Sequence, residues 1–349
     1  MRTLLSAGFL LAIANSALAA DPTDLPPNLR GDLALGYAGS FSQAGLEEQG
    51  AVYGIRNVQR HDLALSGAFT VYTGVAITLG LPITVSQSIT YPSARNMLLD
   101  PVSGSGEYVH GVTMDPTPTI KSKGLDGVWI GVALSPFRED FASSLPITAR
   151  FDLALRTPST SLYSTKRGVG SGGLGWKIGG AFSVIRGKAD PYVSLSWTGE
   201  AKHKVDVVTL DDVDRGEIAL KDASHFDGVA GSELIALNKP NGAKLAFDLH
   251  LAASYYTWAS HASGFWLPDT LESSKSIAVT ASEHVTVGGG FAIKADFTKL
   301  IGLRMGVDGG WSTPSRVEHP YAVYTDTQSF NVGWNVGLVG RFRGKDDRK

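Results

Sequence analysis

Apolar residues recur at every second position along most of this chain. That period predicts β-strands with one apolar face, not amphipathic helices, whose period is 3.6. From Val75 the odd positions read Val75, Ile77, Leu79, Leu81, Ile83 and Val85, against Ala76, Thr78, Gly80, Pro82, Thr84 and Ser86. The same alternation runs through Leu33 to Phe41, Leu63 to Val71, Val128 to Leu134, Ile147 to Leu155, Leu174 to Val184, Val193 to Trp197, Leu245 to Tyr255, Val285 to Phe297, Ile301 to Trp311 and Phe330 to Phe342. Within these rows every charge falls on the parity opposite the apolar residues.

Two architectures produce such rows: a soluble sandwich or barrel with an apolar core, or a membrane barrel with an apolar outside and a polar lumen. The polar parity decides for the second, because Gly, Ala and Ser dominate it with a few charges of both signs, whereas a soluble outer face usually carries Lys, Glu and Thr. Length agrees. Units such as Arg60 to Tyr72, Gly74 to Ser88 and Thr327 to Arg343 run about 13 to 17 residues, longer than ordinary globular strands and long enough to cross a bilayer at a tilt.

Short links at Tyr72 to Gly74, Arg186 to Asp190 and Thr298 to Gly302 contrast with long polar ones at Thr90 to Lys123, Val205 to Gly242 and Ser312 to Asp326. Short turns on one rim and long loops on the other are the arrangement of bacterial outer-membrane barrels. Eleven strands are legible, and an even count calls for a twelfth, expected between Ala259 and Ser282. The expected fold is therefore all-β: a transmembrane antiparallel β-barrel of about 12 strands, with 10 and 14 as alternatives. Pro82, which lacks a ladder donor, is expected at a bulge or in the loop-proximal half of its strand.

The N-terminus supplies a route to that membrane. Arg2, the apolar run Leu4 to Ile13 and the small-residue step Ala17-Leu18-Ala19 form a secretory signal peptide pattern, and Asp21-Pro22 and Pro26-Pro27 stop any continuing helix. The expected organisation is a signal peptide at 1–19, a short periplasmic segment at 20–30, the outer-membrane barrel at 31–343 and a polar C-terminal tail at 344–349. Composition then removes several functions. A net charge of -2 offers no electrostatic footprint for nucleic acid. With no cysteine there is no disulfide, thiolate metal site, cysteine nucleophile or lipidated N-terminal cysteine. The 18% charged fraction and the mean hydropathy of +0.02 are what two opposite faces produce when averaged.

Several short motifs resemble outer-membrane barrel proteins grouped as MetA-pathway or phenol-degradation-associated transporters. They are the strand-turn-strand unit His61 to Val85 with Gly80-Leu81-Pro82-Ile83, the Gly124-Leu125-Asp126-Gly127 opening before Val128 to Leu134, Arg156 to Ser159 where that family tends to have Pro-Thr-Gly, and the glycine-rich Gly168 to Ala181. The resemblance spans about Arg60 to Thr198 and implies hydrophobic or aromatic solutes. The last strand is also similar to the assembly signal of outer-membrane barrels through Asn335, Gly337, Gly340 and Phe342, although Gly340 replaces an apolar residue and Gly344 to Lys349 extend beyond the usual closing aromatic.

Candidate chemistry is sparse. Asp248, His250 and Ser254, the residue types of a hydrolase triad, share one strand face, but positions i, i+2 and i+6 spread over about 20 Å and cannot form a triad by themselves. The eight histidines stand singly without ligand spacing. Asp211, Asp212, Asp214 and Glu217 form an acidic cluster without the regular ligands of a calcium loop, read as a solvated exterior loop with cation bridging to lipopolysaccharide as a minor option. Gly168 to Gly173 leads into a strand, so the helix N-terminus that would cradle phosphate is missing. No catalytic residue, cofactor or metal is expected.

The expected function resides in the pore: passive uptake of small solutes, hydrophobic or aromatic ones by the resemblance, through an outer-membrane channel, with Thr90 to Lys123 and Val205 to Gly242 as constricting loops. The residues expected to line the lumen are Arg150, Asp152, Arg156, Lys177, Asp248, His250, Lys294, Asp296, Arg304, Asp308 and Arg341. Their mixed signs predict weak ion selectivity. Expected partners are outer-membrane lipid and lipopolysaccharide, the barrel-assembly machinery and a small-molecule solute. The alternative is a closed structural or adhesin-type barrel acting through its surface loops, and a third reading is an outer-membrane hydrolase using His250.

Overall fold

The computed structural model describes residues 30–48, 51–90, 120–137, 147–158, 173–208, 214–221, 223–239, 242–262, 278–319 and 322–343. In chain order its strands are β1 (Arg30–Glu48), β2 (Ala51–Tyr72), β3 (Val75–Thr90), β4 (Ile120–Leu125), β5 (Trp129–Phe137), β6 (Ile147–Arg156), β7 (Gly175–Val184), β8 (Ala189–Glu200), β9 (His203–Val208), β10 (Asp214–Leu220), β11 (His225–Asn238), β12 (Lys244–Tyr256), β13 (Ala259–Ala262), β14 (Ala278–Ala281), β15 (His284–Asp296), β16 (Ile301–Ser312), β17 (Ser315–His319) and β18 (Ala322–Arg343). Twelve of them, β1-β2-β3-β5-β6-β7-β8-β11-β12-β15-β16-β18, follow one another as antiparallel neighbours. The ring closes between β18 and β1, whose register runs from Arg30 opposite Arg343 to Glu47 opposite Thr325. Every wall strand thereby has a partner on each side, as a backbone immersed in hydrocarbon requires.

The two parities become two surfaces. Outward-facing Leu35, Leu79, Leu153, Leu195, Leu251, Val307 and Leu338 are exposed, while inward-facing Ala76, Thr84, Asp248, Lys294 and Asn335 are buried. In water this would be an inverted protein, and in lipid it is the expected one. On β12 the outward residues run from Leu245 to Tyr255, which at a strand tilt of about 40° covers roughly 25 Å, the height of an outer-membrane apolar band. Tyr72, Phe137, Phe297 and Phe342 are exposed on the short-turn side of this band, and Tyr255, Trp258, Trp311 and Phe330 on the other. Rings at both interfaces are what a bilayer selects.

Turn chemistry sets which rim is which. The β2–β3 turn has Gly74 at φ 78° and the β7–β8 turn Gly187 at φ 67°, the left-handed conformations that two-residue hairpins need. The opposite rim carries strand extensions: β9 pairs with β10, β13 with β14, β14 with β17, and β17 with the upper part of β18. Pro82 lies opposite Ala64, beside the break between β4 and β5, where Asp126 N–H donates to Pro82 O at 3.1 Å. β3 itself bulges two residues further on, where Thr84 and Ser86 oppose the consecutive Asp62 and His61, so irregularity lies close to the proline in its own strand as well as in its neighbour.

Two expectations change. The twelfth wall strand is β11, inside the segment Val205 to Gly242 that reads as a long loop, whereas the expected region from Ala259 holds β13 and β14, which lie outside the ring. β11 escapes a periodicity search because its outward positions are Phe226, Gly228, Ala230, Ser232 and Leu234, of which only the first and last are large and apolar. The loop Thr90 to Lys123 lies mostly outside the described residues, as do the 1–19 and 344–349 segments and the acidic residues Asp211 and Asp212.

A lysine at the centre of the outward band tests the assignment of inside and outside. Leu251 is 72% exposed, so in a water-facing position Leu251→Lys would be nearly neutral. In the bilayer it is expected to destabilise the barrel by about 2–4 kcal/mol, read from reversible unfolding in lipid vesicles with the heat-dependent gel shift as the measure of folded barrel.

Candidate functional site

The inner face divides into a charged half and a small-residue half. On β11, β12, β15 and β16 the inward side chains include Glu233, Asp248, His250, Lys294, Arg304 and Asp308, all buried. On β1, β2, β7 and β8 they are mainly Ala, Ser and Gly, and Ala38, Ser40, Ala64, Ser66, Ala68, Gly179, Ala181, Ser194 and Ser196 retain partial exposure. Residues of one parity on neighbouring strands face the same side, so the register carries both halves up the wall.

The charged half holds its groups in two paired clusters. Lys294 Nζ lies 2.9 Å from Glu233 Oε2 and 3.1 Å from Asp248 Oδ2, and Lys244 also pairs with Glu233. Tyr192 donates its hydroxyl to Asp248 Oδ1 at 3.0 Å. His250 sits between two carboxylates, with Nδ1 3.1 Å from Asp248 Oδ1 and Nε2 3.0 Å from Asp308 Oδ1. Nearer the short-turn rim, Asp296 receives Arg304 at 2.9 Å and Arg341 at 3.2 Å, and Arg341 Nε lies 4.0 Å from Asp32. An unpaired buried charge is strongly destabilising, so pairing is the condition for keeping these residues inside.

Several of these contacts span two strands, and the strand beneath has a glycine there. Tyr192 on β8 reaches Asp248 on β12 across Gly231 of β11, where a Cβ would lie 2.7 Å from the tyrosine oxygen. His250 on β12 reaches Asp308 on β16 across Gly290 of β15, where a Cβ would meet Asp308 Oδ1 and His250 Nε2. Arg341 reaches Asp296 across Gly302, and Arg156 reaches Glu200 across Gly175. Strands two apart are separated by about 9.5 Å. Paired long side chains close that gap where the residue between them is small, glycine in these four cases and Ala246 beside Lys294.

Arg150 and Asp152 pair along β6 at 2.7 Å and are half-buried. Arg156 is buried, with Glu200 at 2.7 Å, Asp126 at 3.7 Å and the Trp129 ring at 5.6 Å. Lys177 is half-buried on β7, and among the described residues it is in no ion pair. Ser254 donates to Asp227 at 2.6 Å, so Asp248, His250 and Ser254 are not assembled as a triad. Among the described residues no group of His, Asp and Glu is arranged to hold a metal ion.

Glu233, Tyr192, Asp227, Asp126, Glu200 and the Arg60–Asp62 pair at 2.7 Å are network members missed by the sequence reading. Tyr192 had a usable signal, an aromatic on the polar parity beside Val193. Glu233 and Asp227 lay hidden with β11.

No family model and no curated protein matches the sequence. Among solved structures, an outer membrane channel from Pseudomonas putida F1 superimposes with a TM-score of 0.53 at 9% identity, covering 93% of this chain and 99% of that one. A TodX monoaromatic hydrocarbon channel mutant gives 0.47 at 8% identity, covering 95% and 94%, and the translocator domain of autotransporter NalP from Neisseria meningitidis 0.46 at 11%, covering 97% and 96%. Below 0.5 the latter two add nothing to the fold assignment. The first likeness is one of fold, and it agrees with the wall traced above: a twelve-stranded outer-membrane-type β-barrel.

The bridging geometry makes a quantitative prediction. Gly290→Ala should destabilise the barrel by about 1–3 kcal/mol through overpacking against His250 and Asp308. Asp308→Ala removes one of the clashing groups, so the double variant should be less destabilised than the sum of the singles by at least ~0.5 kcal/mol in a double-mutant cycle.

Proposed function

We propose that this barrel sits in the outer membrane as a channel for passive entry of small, weakly charged solutes, with hydrophobic or aromatic compounds as the preferred class. The observation that carries this reading is the asymmetry of the inner face. Partial exposure concentrates on the Ala, Ser and Gly positions of β1, β2, β7 and β8, while the opposite half holds its charges in mutual pairs. A solute following the small-residue half meets mainly small side chains, with Lys177 of β7 as a cation beside the path and the paired charges opposite. The resemblance of Arg60 to Thr198 to transporters of the phenol-degradation group and the shared fold with a bacterial channel support the same direction. The network serves structure in this reading and no catalysis is assigned to it. Lipid contacts the apolar band, with lipopolysaccharide on the long-loop side, and assembly machinery reads the β18 end.

Liposomes test the proposal directly. Wild-type protein is expected to pass small neutral sugars and aromatic alcohols in swelling assays and to show weak ion selectivity in planar bilayers. Ala64→Trp, on the small-residue half, should lower solute flux about tenfold or more with the gel shift of the folded barrel retained. Absence of any solute flux through the wild type would instead support the closed, loop-acting barrel.

A further inference from the structure

Among the described turns of the short-turn rim, cations cluster on three. Arg186 and Lys188 lie at the β7–β8 turn, Lys239 follows β11, and Lys299 lies between β15 and β16; all four are exposed. Among the described residues none of them is in an ion pair. The carboxylates nearest in sequence turn inward: Asp190 is buried, and Asp296 is held by Arg304 and Arg341. The β2–β3 turn, by contrast, presents uncharged Tyr72, Thr73 and Gly74. The cations thus form an arc on three turns that are consecutive around the barrel.

The same turns touch the apolar band. Phe297 and Leu300 flank Lys299 and are 57% and 48% exposed, and Leu237 precedes Lys239 at 40%. Apolar side chains exposed in a turn belong in the acyl boundary, which puts the neighbouring ammonium groups at headgroup depth, where long cationic side chains extend toward phosphate. The turns are also braced: the Gly242 N–H donates to Lys239 O at 2.9 Å, and a Cβ on Gly242 would strike Lys299.

We propose that Arg186, Lys188, Lys239 and Lys299 form a docking arc for anionic phospholipid headgroups in the leaflet that contacts the short-turn rim. Charge complementarity and headgroup depth favour lipid over an acidic protein, which would need no apolar flank. The inference stands on the barrel and its rims and is independent of any solute.

The test uses the full-length barrel in phosphatidylcholine vesicles with a minor fraction of phosphatidylglycerol, reading spin-labelled lipids at the protein boundary. Wild-type protein is expected to enrich labelled phosphatidylglycerol about fivefold over phosphatidylcholine at low salt. The variant Arg186→Gln/Lys188→Gln/Lys239→Gln/Lys299→Gln, folded by its gel shift, should bring that ratio close to one, and high salt should do the same to wild type. A ratio unchanged in the variant would overturn the proposal. So would an equal loss on neutralising Lys121, Lys123 and Lys202 at the opposite rim, which would make the enrichment an effect of net charge alone. If the variant fails to fold, single Lys239→Gln and Lys299→Gln substitutions carry the same comparison, each expected to lower the ratio part of the way.

Discussion

Everything in this molecule depends on the antiparallel seam between β1 and β18. A sheet in hydrocarbon cannot leave an edge, because each unpaired N–H or C=O has no water to turn to. Pairing Arg30 with Arg343 and continuing to Glu47 opposite Thr325 removes both edges at once. Closure then divides space into an inside and an outside, and the alternation of each strand assigns every side chain to one of them.

The outside follows from closure simply: apolar residues meet acyl chains and rings gather at the two interfaces. The inside is harder to satisfy, because a narrow bore brings charged groups close together away from bulk water. Here that problem is met with glycine. Placing Gly231, Gly290 and Gly302 on intermediate strands lets Tyr192, His250 and Arg341 reach acids two strands away. These pairs tie β8 to β12, β11 to β15, β12 to β16 and β15 to β18, and they brace one half of the wall while the other half keeps mainly small side chains.

Much of the fold was legible in the sequence, and for one reason. A strand that faces lipid on one side cannot tolerate a charge there, so the alternation of Leu245 to Tyr255 or Ile301 to Trp311 is forced and visible. β11 was not legible, because closely packed neighbours allow Gly228, Ala230 and Ser232 on its outward face, and small residues carry almost no periodic signal. The inward location of His250 or Lys294 follows from parity, but their partners do not. Asp308 is 58 positions from His250, and Glu233 is 61 from Lys294.

By itself, then, the sequence determined the parity of its strands, the length of its spans and the rim to which each short turn belongs, because these are local consequences of a two-residue repeat meeting lipid. Only the tertiary structure decided which strands are neighbours, that β11 completes the ring in place of the Ala259 region, and which glycines lie beneath which ion pairs. Register between strands distant in sequence is set by closure of the whole ring, and no local pattern records it.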